Sequence, residues 1–173
     1  VVGTNYFGPF RLTRALLPAF SRGDARIVGL SSSIYPLGRF KSAKLDSYRW
    51  VKAYAVSKYA MLLFMLALAE RLAPLGISAN AVDPGVVRTS IMFSGLWTDT
   101  LVDLLCRPFY VSPEEGAAEV VRLAAAPEAR GLTGGFWRRG RAVALPAGYA
   151  DPALVRESFA ATERLLGSFY PVP

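Results

Sequence analysis

An α/β fold, built on a parallel sheet with helices on both faces, is predicted by three features of this 173-residue sequence. Two short apolar runs, residues 25–30 and 77–82, are bounded by turn signals and read as buried strands. A long apolar helix lies between them. A helix with its own start signal follows the second run. Near-continuous apolar strands alternating with helices mean a sheet that is buried on both sides.

Taken in order, residues 6–20 read as a first helix, with Phe7, Phe10, Leu12, Leu16 and Leu17 as its apolar positions. Arg22-Gly23-Asp24 is a turn signal ahead of the strand at 25–30. Residues 33–47 read as a loop carrying Pro36 and Gly38. Residues 51–72 form the long helix, apolar almost all round in its second half and ended by Pro74 and Gly76. The strand at 77–82 is stopped by Asp83-Pro84-Gly85, and residues 86–111 read as irregular or partly helical. Ser112-Pro113-Glu114-Glu115 opens a helix with a capping box. Gly135-Phe136-Trp137 begins a last short strand, and Asp151-Pro152 caps a final helix ending near Gly167. There is no repeat and no linker, so residues 1–173 read as one domain.

Composition narrows the chemistry. With 53% apolar residues the chain is not a disordered one. The longest uninterrupted apolar run, residues 59–69, is too short to span a bilayer and reads as a buried helix, so no transmembrane segment is expected. The first residues lack the charged and apolar regions of a signal peptide, and a cytoplasmic, intracellular location is expected. Cys106 stands alone, which excludes an internal disulfide and zinc spacings. With no histidine, proton chemistry must use Tyr, Lys, Asp or Glu. The net charge of +7 raises the question of nucleic acid. The arginines are scattered apart from Arg138-Arg139-Gly140-Arg141, and no recognition motif accompanies them, so no nucleic-acid partner is expected.

The chemistry-bearing stretch is Tyr54-Ala55-Val56-Ser57-Lys58. Residues at i and i+4 share one helix face. An ammonium beside a phenol favours the phenolate, so Lys58 is expected to pull the Tyr54 pKa down and fit it for general acid–base work. The spacing alone is a weak signal, with about 0.2 chance occurrences expected in such a chain. A second copy, Tyr48/Lys52, does occur. Ligands in parallel sheets sit beyond the carboxyl ends of the strands. Ser31-Ser32-Ser33 and Asp83-Pro84-Gly85 lie just past those ends, and the Tyr54 helix follows the first strand.

This ordered set resembles the short-chain dehydrogenase/reductase family. Thr4-Asn5-Tyr6-Phe7-Gly8 resembles its helical asparagine segment, and Ile27-Val28-Gly29-Leu30-Ser31-Ser32-Ser33 its strand-end serine motif. Aligning the paired serines makes Ser32 the catalytic serine, with Ser31 as the alternative. Tyr54-Ala-Val-Ser-Lys58 has the small residues of the family's active-site helix, which Tyr48/Lys52 lacks. Asp83-Pro84-Gly85-Val86-Val87-Arg88-Thr89 resembles the segment that wraps the nicotinamide. The stretch between Ser32 and Tyr54 and the tail from Gly134 to Gly167 resemble the retinol-dehydrogenase-like branch.

The resemblance implies a doubly wound, Rossmann-type sheet and an oxidoreductase interconverting an alcohol and a carbonyl, of lipid or retinoid type. NAD or NADP is the implied cofactor, with NADP slightly favoured by the branch. Tyr54 is the implied proton donor and acceptor. Lys58 supports it and holds the nicotinamide ribose, Ser32 polarises the carbonyl, and Asn5 orients a water leading to Lys58. Pro84, Gly85, Val87 and Thr89 join Tyr54 and Lys58 as cofactor contacts, and the Tyr54 helix is expected to form a homodimer interface. Met92, Phe93, Leu96 and Trp97 are candidates to line an apolar pocket. The family's Gly-rich pyrophosphate turn has no counterpart in these 173 residues, so the chain reads as a truncated, C-terminal catalytic part. Two rival readings are a non-catalytic remnant of the same fold and a sugar-nucleotide epimerase. The compact 84–89 segment and the short C-terminal region argue against the second.

Overall fold

The computed structural model describes residues 1–20, 23–38, 50–87 and 110–171. The chain enters on a π-helical turn, Gly3–Phe7, that runs directly into α1, Gly8–Leu16, and a 3-10 turn, Leu17–Ala19. Then come β1, Arg26–Leu30; a 3-10 turn, Tyr35–Leu37; α2, Trp50–Leu72; and β2, Ser78–Val82. Two short strands follow, β3, Val86–Val87, and β4, Tyr110–Val111, then α3, Pro113–Ala125. The chain closes with β5, Phe136–Arg138, β6, Arg141–Ala142, and α4, Pro152–Leu166.

The main sheet has the order β1-β2-β5-β6. β1 and β2 are parallel along their whole length, from Arg26 opposite Ser78 to Leu30 opposite Val82. β5 is parallel to β2, whereas β6 turns back antiparallel to β5, so the sheet is mixed and mostly parallel. Sequence reading missed β6 because two exposed residues carry no apolar alternation. β3 and β4 form a separate parallel pair.

Side chains alternate across a strand, and both faces of the sheet are covered. Ile27, Ala79, Ala81 and Phe136 join the large core built with α1, α2 and α4. Val28, Val82 and Trp137 face the other way and pack with Val120 and Leu123 of α3. Gly29 lets α2 lie close to β1, since a Cβ there would sit 2.6 Å from Met65. Asn80, buried in β2, ties the sheet to the following segment. Its amide donates to the Leu132 carbonyl and its oxygen accepts from Gly135 N and Trp137 Nε1.

α2 is the core helix. The helix Lys52–Leu75 is long and apolar enough to cross a membrane by length and composition, but 72% of its apolar 18-residue window is buried inside this chain. Tyr59, Leu62, Leu63 and Leu68 are fully buried, and Phe64 stacks at 4.8 Å on Phe10. The all-round apolar pattern packs largely within this chain. The helix starts are capped as read: Ser112 and Glu115 complete a reciprocal capping box, and Asp151 accepts from Ala153 N and Leu154 N. Gly167 ends α4 in the left-handed conformation.

Candidate active site

α2 follows β1 and runs back over the sheet, so its N-terminal half lies at the carboxyl ends of β1 and β2. Tyr54, half-buried, and Lys58, one turn on, lie there. Ser31 and Ser32 follow β1 at the same end. Ser31 N donates to the Val82 carbonyl at 2.8 Å, extending the β1–β2 ladder by one residue. The two serines then divide. The buried Ser31 hydroxyl donates to the Lys58 carbonyl at 2.8 Å and fixes α2 to the strand end. The Ser32 hydroxyl stays on the Tyr54 side, where it favours the ionised phenol, and accepts from Ile34 N at 3.5 Å.

A close approach sets the position of Tyr54. Gly38 sits against the α2 backbone, and a Cβ there would collide with the Ala55 carbonyl group and Val56 N. Only a residue without a side chain lets the 32–38 segment lie against the helix at this point. Asn5, on the π-helical turn, donates through Nδ2 to Ser57 Oγ at 3.3 Å, and Ser57 Oγ donates to the Tyr54 carbonyl at 2.7 Å. Asn5 is thereby joined to α2 one residue from Lys58. Ser57, fully buried, was not singled out from sequence. Its signal was the small residue inside the Tyr-x-x-x-Lys motif.

One electrostatic expectation is corrected. The Tyr54 pKa is raised, not lowered: burial pushes it up, the nearby Ser32 hydroxyl pulls it down by less, and the charge of Asp83 adds to the rise. Burial lowers the Lys58 pKa, with Asp83 acting against that. Lys58 Nζ lies 5.4 Å from the Tyr54 ring centroid and donates to the Leu30 carbonyl at 3.0 Å. Its charge is engaged by the strand end as well as by the phenol, and burial of the phenol prevails.

Past β2, Asp83 Oδ1 accepts from Gly85 N at 3.0 Å, closing a tight turn with Gly85 at φ 82. Val87 N donates to the Gly85 carbonyl at 3.2 Å, and Val87 pairs with Val111 across β3 and β4. Gly116 of α3 leaves room for Val87, since a Cβ there would be 2.6 Å from its side chain. Pro84, Gly85 and Val87 therefore sit on a segment held at the carboxyl end of the sheet. Thr89, Met92, Phe93, Leu96, Trp97 and Tyr48 lie outside the described residues. No group of His, Cys, Asp and Glu fit to hold a metal ion occurs among the described residues.

Residues 1–97 match the short chain dehydrogenase family. The chain is 38% identical to mouse (Mus musculus) polyprenol dehydrogenase over 179 residues, covering 96% of this chain and 53% of that protein. It is 31% identical to human (Homo sapiens) retinol dehydrogenase 14 over 172 residues, covering 95% and 51%. The chain thus spans about half the length of the curated relatives it matches. A crystal structure of an uncharacterised protein from Mycobacterium Paratuberculosis superposes with a TM-score of 0.73 at 27% identity, covering 98% of this chain and 59% of that one. A blue fluorescent protein from a metagenomic library, solved in complex with NADPH, superposes with a TM-score of 0.59 at 27% identity, covering 83% and 55%. The order of the motifs, the strand-end serines beside Tyr54 and these matches agree: the chain belongs to the short chain dehydrogenase family, in its retinol-dehydrogenase-like branch.

Proposed function

We propose that this chain carries the proton-transfer and nicotinamide end of an NAD(P)-dependent oxidoreductase that interconverts an alcohol and a carbonyl. The observation that carries this reading is the convergence of Ser32, Tyr54 and Lys58 beyond the carboxyl ends of β1 and β2. The NADPH-bound neighbour and the dehydrogenase relatives support the class. Their names, polyprenol and retinol dehydrogenase, favour an apolar, lipid-type substrate.

The residues present suit the nicotinamide end of such a cofactor. Lys58 offers a half-buried ammonium, and the Pro84–Val87 segment offers backbone groups at the sheet edge. The cofactor supplies or accepts the hydride when bound. The chain's own groups handle the oxygen. Tyr54 gives a proton to the carbonyl oxygen in reduction and takes it from the alcohol in oxidation. A phenol held protonated by burial suits the donor role. Ser32 donates a hydrogen bond to the same oxygen, stabilising the charge that develops there. Lys58 offsets the negative charge left on Tyr54 after transfer.

The pyrophosphate needs backbone N–H groups at a Gly-rich turn opening a helix. No such turn occurs in residues 1–173, so this chain by itself is expected to be inactive and to bind dinucleotide weakly. Calorimetric titration with NADH and NADPH checks this division, and micromolar binding of either by the 173-residue chain would overturn it. Joined to a Gly-rich dinucleotide-binding half, the protein is expected to turn over apolar alcohols or carbonyls, followed by nicotinamide absorbance. A folded, dinucleotide-binding protein that turns over none of them would favour the non-catalytic reading.

A further inference from the structure

The turn that follows Ser32 is gripped by side chains that the proposed reaction does not use. Ser32 belongs to that turn through two atoms. Its hydroxyl oxygen accepts from Ile34 N at 3.5 Å, and its carbonyl accepts from Tyr35 N at 3.0 Å. The turn closes with Gly38 N donating to the Tyr35 carbonyl at 2.9 Å. The buried ring of Tyr35 stacks on Tyr59 of α2 at 6.1 Å. It meets Phe136 of β5 and Tyr149 edge-on, at 5.5 and 5.6 Å.

Tyr149 comes from the segment between β6 and α4, and local chemistry fixes its place. Tyr149 N donates to the Pro146 carbonyl at 3.1 Å, and Gly148, at φ 79, supplies the left-handed third position of that turn. Two residues later Asp151 caps α4. Between these fixed points the Tyr149 carbonyl accepts from the Tyr59 hydroxyl at 2.7 Å. The Tyr149 hydroxyl donates to the Pro36 carbonyl at 3.4 Å. Tyr59 is fully buried and directly follows Lys58. One end of this clamp is therefore on α2 beside the Tyr54 and Lys58 pair, and the other is on the turn that carries Ser32. Gly38, at the far end of the same turn, abuts the α2 backbone at Ala55.

We propose that Tyr149 is a positioning residue of the site: held by the Tyr59 hydroxyl, it packs on Tyr35 and bonds Pro36, and so sets where the turn places Ser32 relative to Tyr54. The inference rests on the oxidoreductase reading for its catalytic consequence, while its structural half is measured without turnover. A ring contact and a hydroxyl bond are small beside the whole core, so their loss opens the turn locally and leaves the fold standing.

The test follows amide hydrogen exchange by NMR in the 173-residue chain. The readout is the rate at the Tyr35 and Gly38 amides relative to those of β1 and β2. Tyr149→Ala is expected to raise that ratio by about 10-fold or more. Tyr59→Phe keeps the buried ring, removes the donor to the Tyr149 carbonyl, and is expected to raise it by about threefold. Ser112→Ala, which weakens the distant α3 cap, is expected to leave the ratio unchanged. In a protein joined to a dinucleotide-binding half, Tyr149→Ala is expected to lower kcat about 10-fold, with KM for the dinucleotide within about twofold of the parent's. Tyr149→Phe, which keeps the ring, restores most of that kcat. A ratio unchanged in Tyr149→Ala, or raised as much by Ser112→Ala, overturns the proposal. So does a raised ratio with unchanged kcat in an active joined protein. Should Tyr149→Ala fail to fold, Tyr59→Phe decides alone: a raised ratio supports the proposal, and an unchanged one overturns it. A joined protein that turns over nothing counts against the oxidoreductase reading and leaves the exchange result standing.

Discussion

The two halves of α2 share one helix and differ in what they touch. From Tyr59 to Leu72 nearly every position is apolar and buried, and Phe64 lies within 6.1 Å, centroid to centroid, of Tyr6, Phe10, Phe159 and Tyr170. From Tyr54 to Lys58 the same helix meets serine hydroxyls and a strand-end carbonyl. The first half anchors the fold through packing. The second presents ionisable groups at a site whose shape that packing fixes. Substitutions in the two halves should therefore separate loss of stability from loss of chemistry.

The largest effect on stability is expected at Phe64. Phe64→Ala removes a fully buried ring and leaves a cavity among four other rings, at a cost of about 3–5 kcal/mol, read as a fall in the denaturant midpoint. A loss under about 1 kcal/mol would mean that the aromatic core is not what holds α2. Gly38→Ala comes next. Its methyl group would meet the Ala55 backbone, and the enforced shift is expected to cost about 1–3 kcal/mol and to reduce turnover as well, since it displaces the 32–38 segment from Tyr54. Gly38 links the halves, so an effect on stability alone would weaken the idea that its close approach positions the site.

Asp151 caps α4, which covers the apolar half of α2. Asp151→Ala is expected to cost about 1 kcal/mol by thermal or urea unfolding, with turnover unchanged. The pH dependence is expected to be the most gradual effect. Burial raises the phenol pKa values of Tyr6, Tyr54 and Tyr170. Their folded forms hold protons that the unfolded chain gives up near pH ~10. That stabilisation is complete below the unfolded value and is lost as pH rises through the folded ones. Urea midpoints should therefore fall above about pH 10, and a rise there would contradict the burial assigned to these rings.

Much of this division is legible in the sequence, for reasons that differ by residue. The run at 59–69 announces its burial by composition. Ser112/Glu115 and Asp151-Pro152 announce helix starts by local hydrogen-bonding chemistry. The Tyr54 and Lys58 spacing gives a shared face, but it is silent about depth, and so the direction of the Tyr54 shift came out opposite to expectation. Ser31 and Ser32 are alike by type; the motif alignment favours Ser32, and the structure shows why Ser31 is engaged elsewhere, its hydroxyl donating to the Lys58 carbonyl. The π-helical turn carrying Asn5 has no propensity signature, and β6 is too short to carry one.

The most direct test of the account is the turnover of Tyr54→Phe beside Tyr48→Phe in a protein that joins residues 1–173 to a dinucleotide-binding half. Tyr54→Phe is expected to fold as the parent does and to lose about 100-fold or more in turnover, about 2.7 kcal/mol on the barrier, while Tyr48→Phe changes little. Equal losses at the two positions, or full activity in Tyr54→Phe, would contradict the assignment of the proton to Tyr54 and with it the chemical role given to this half of α2.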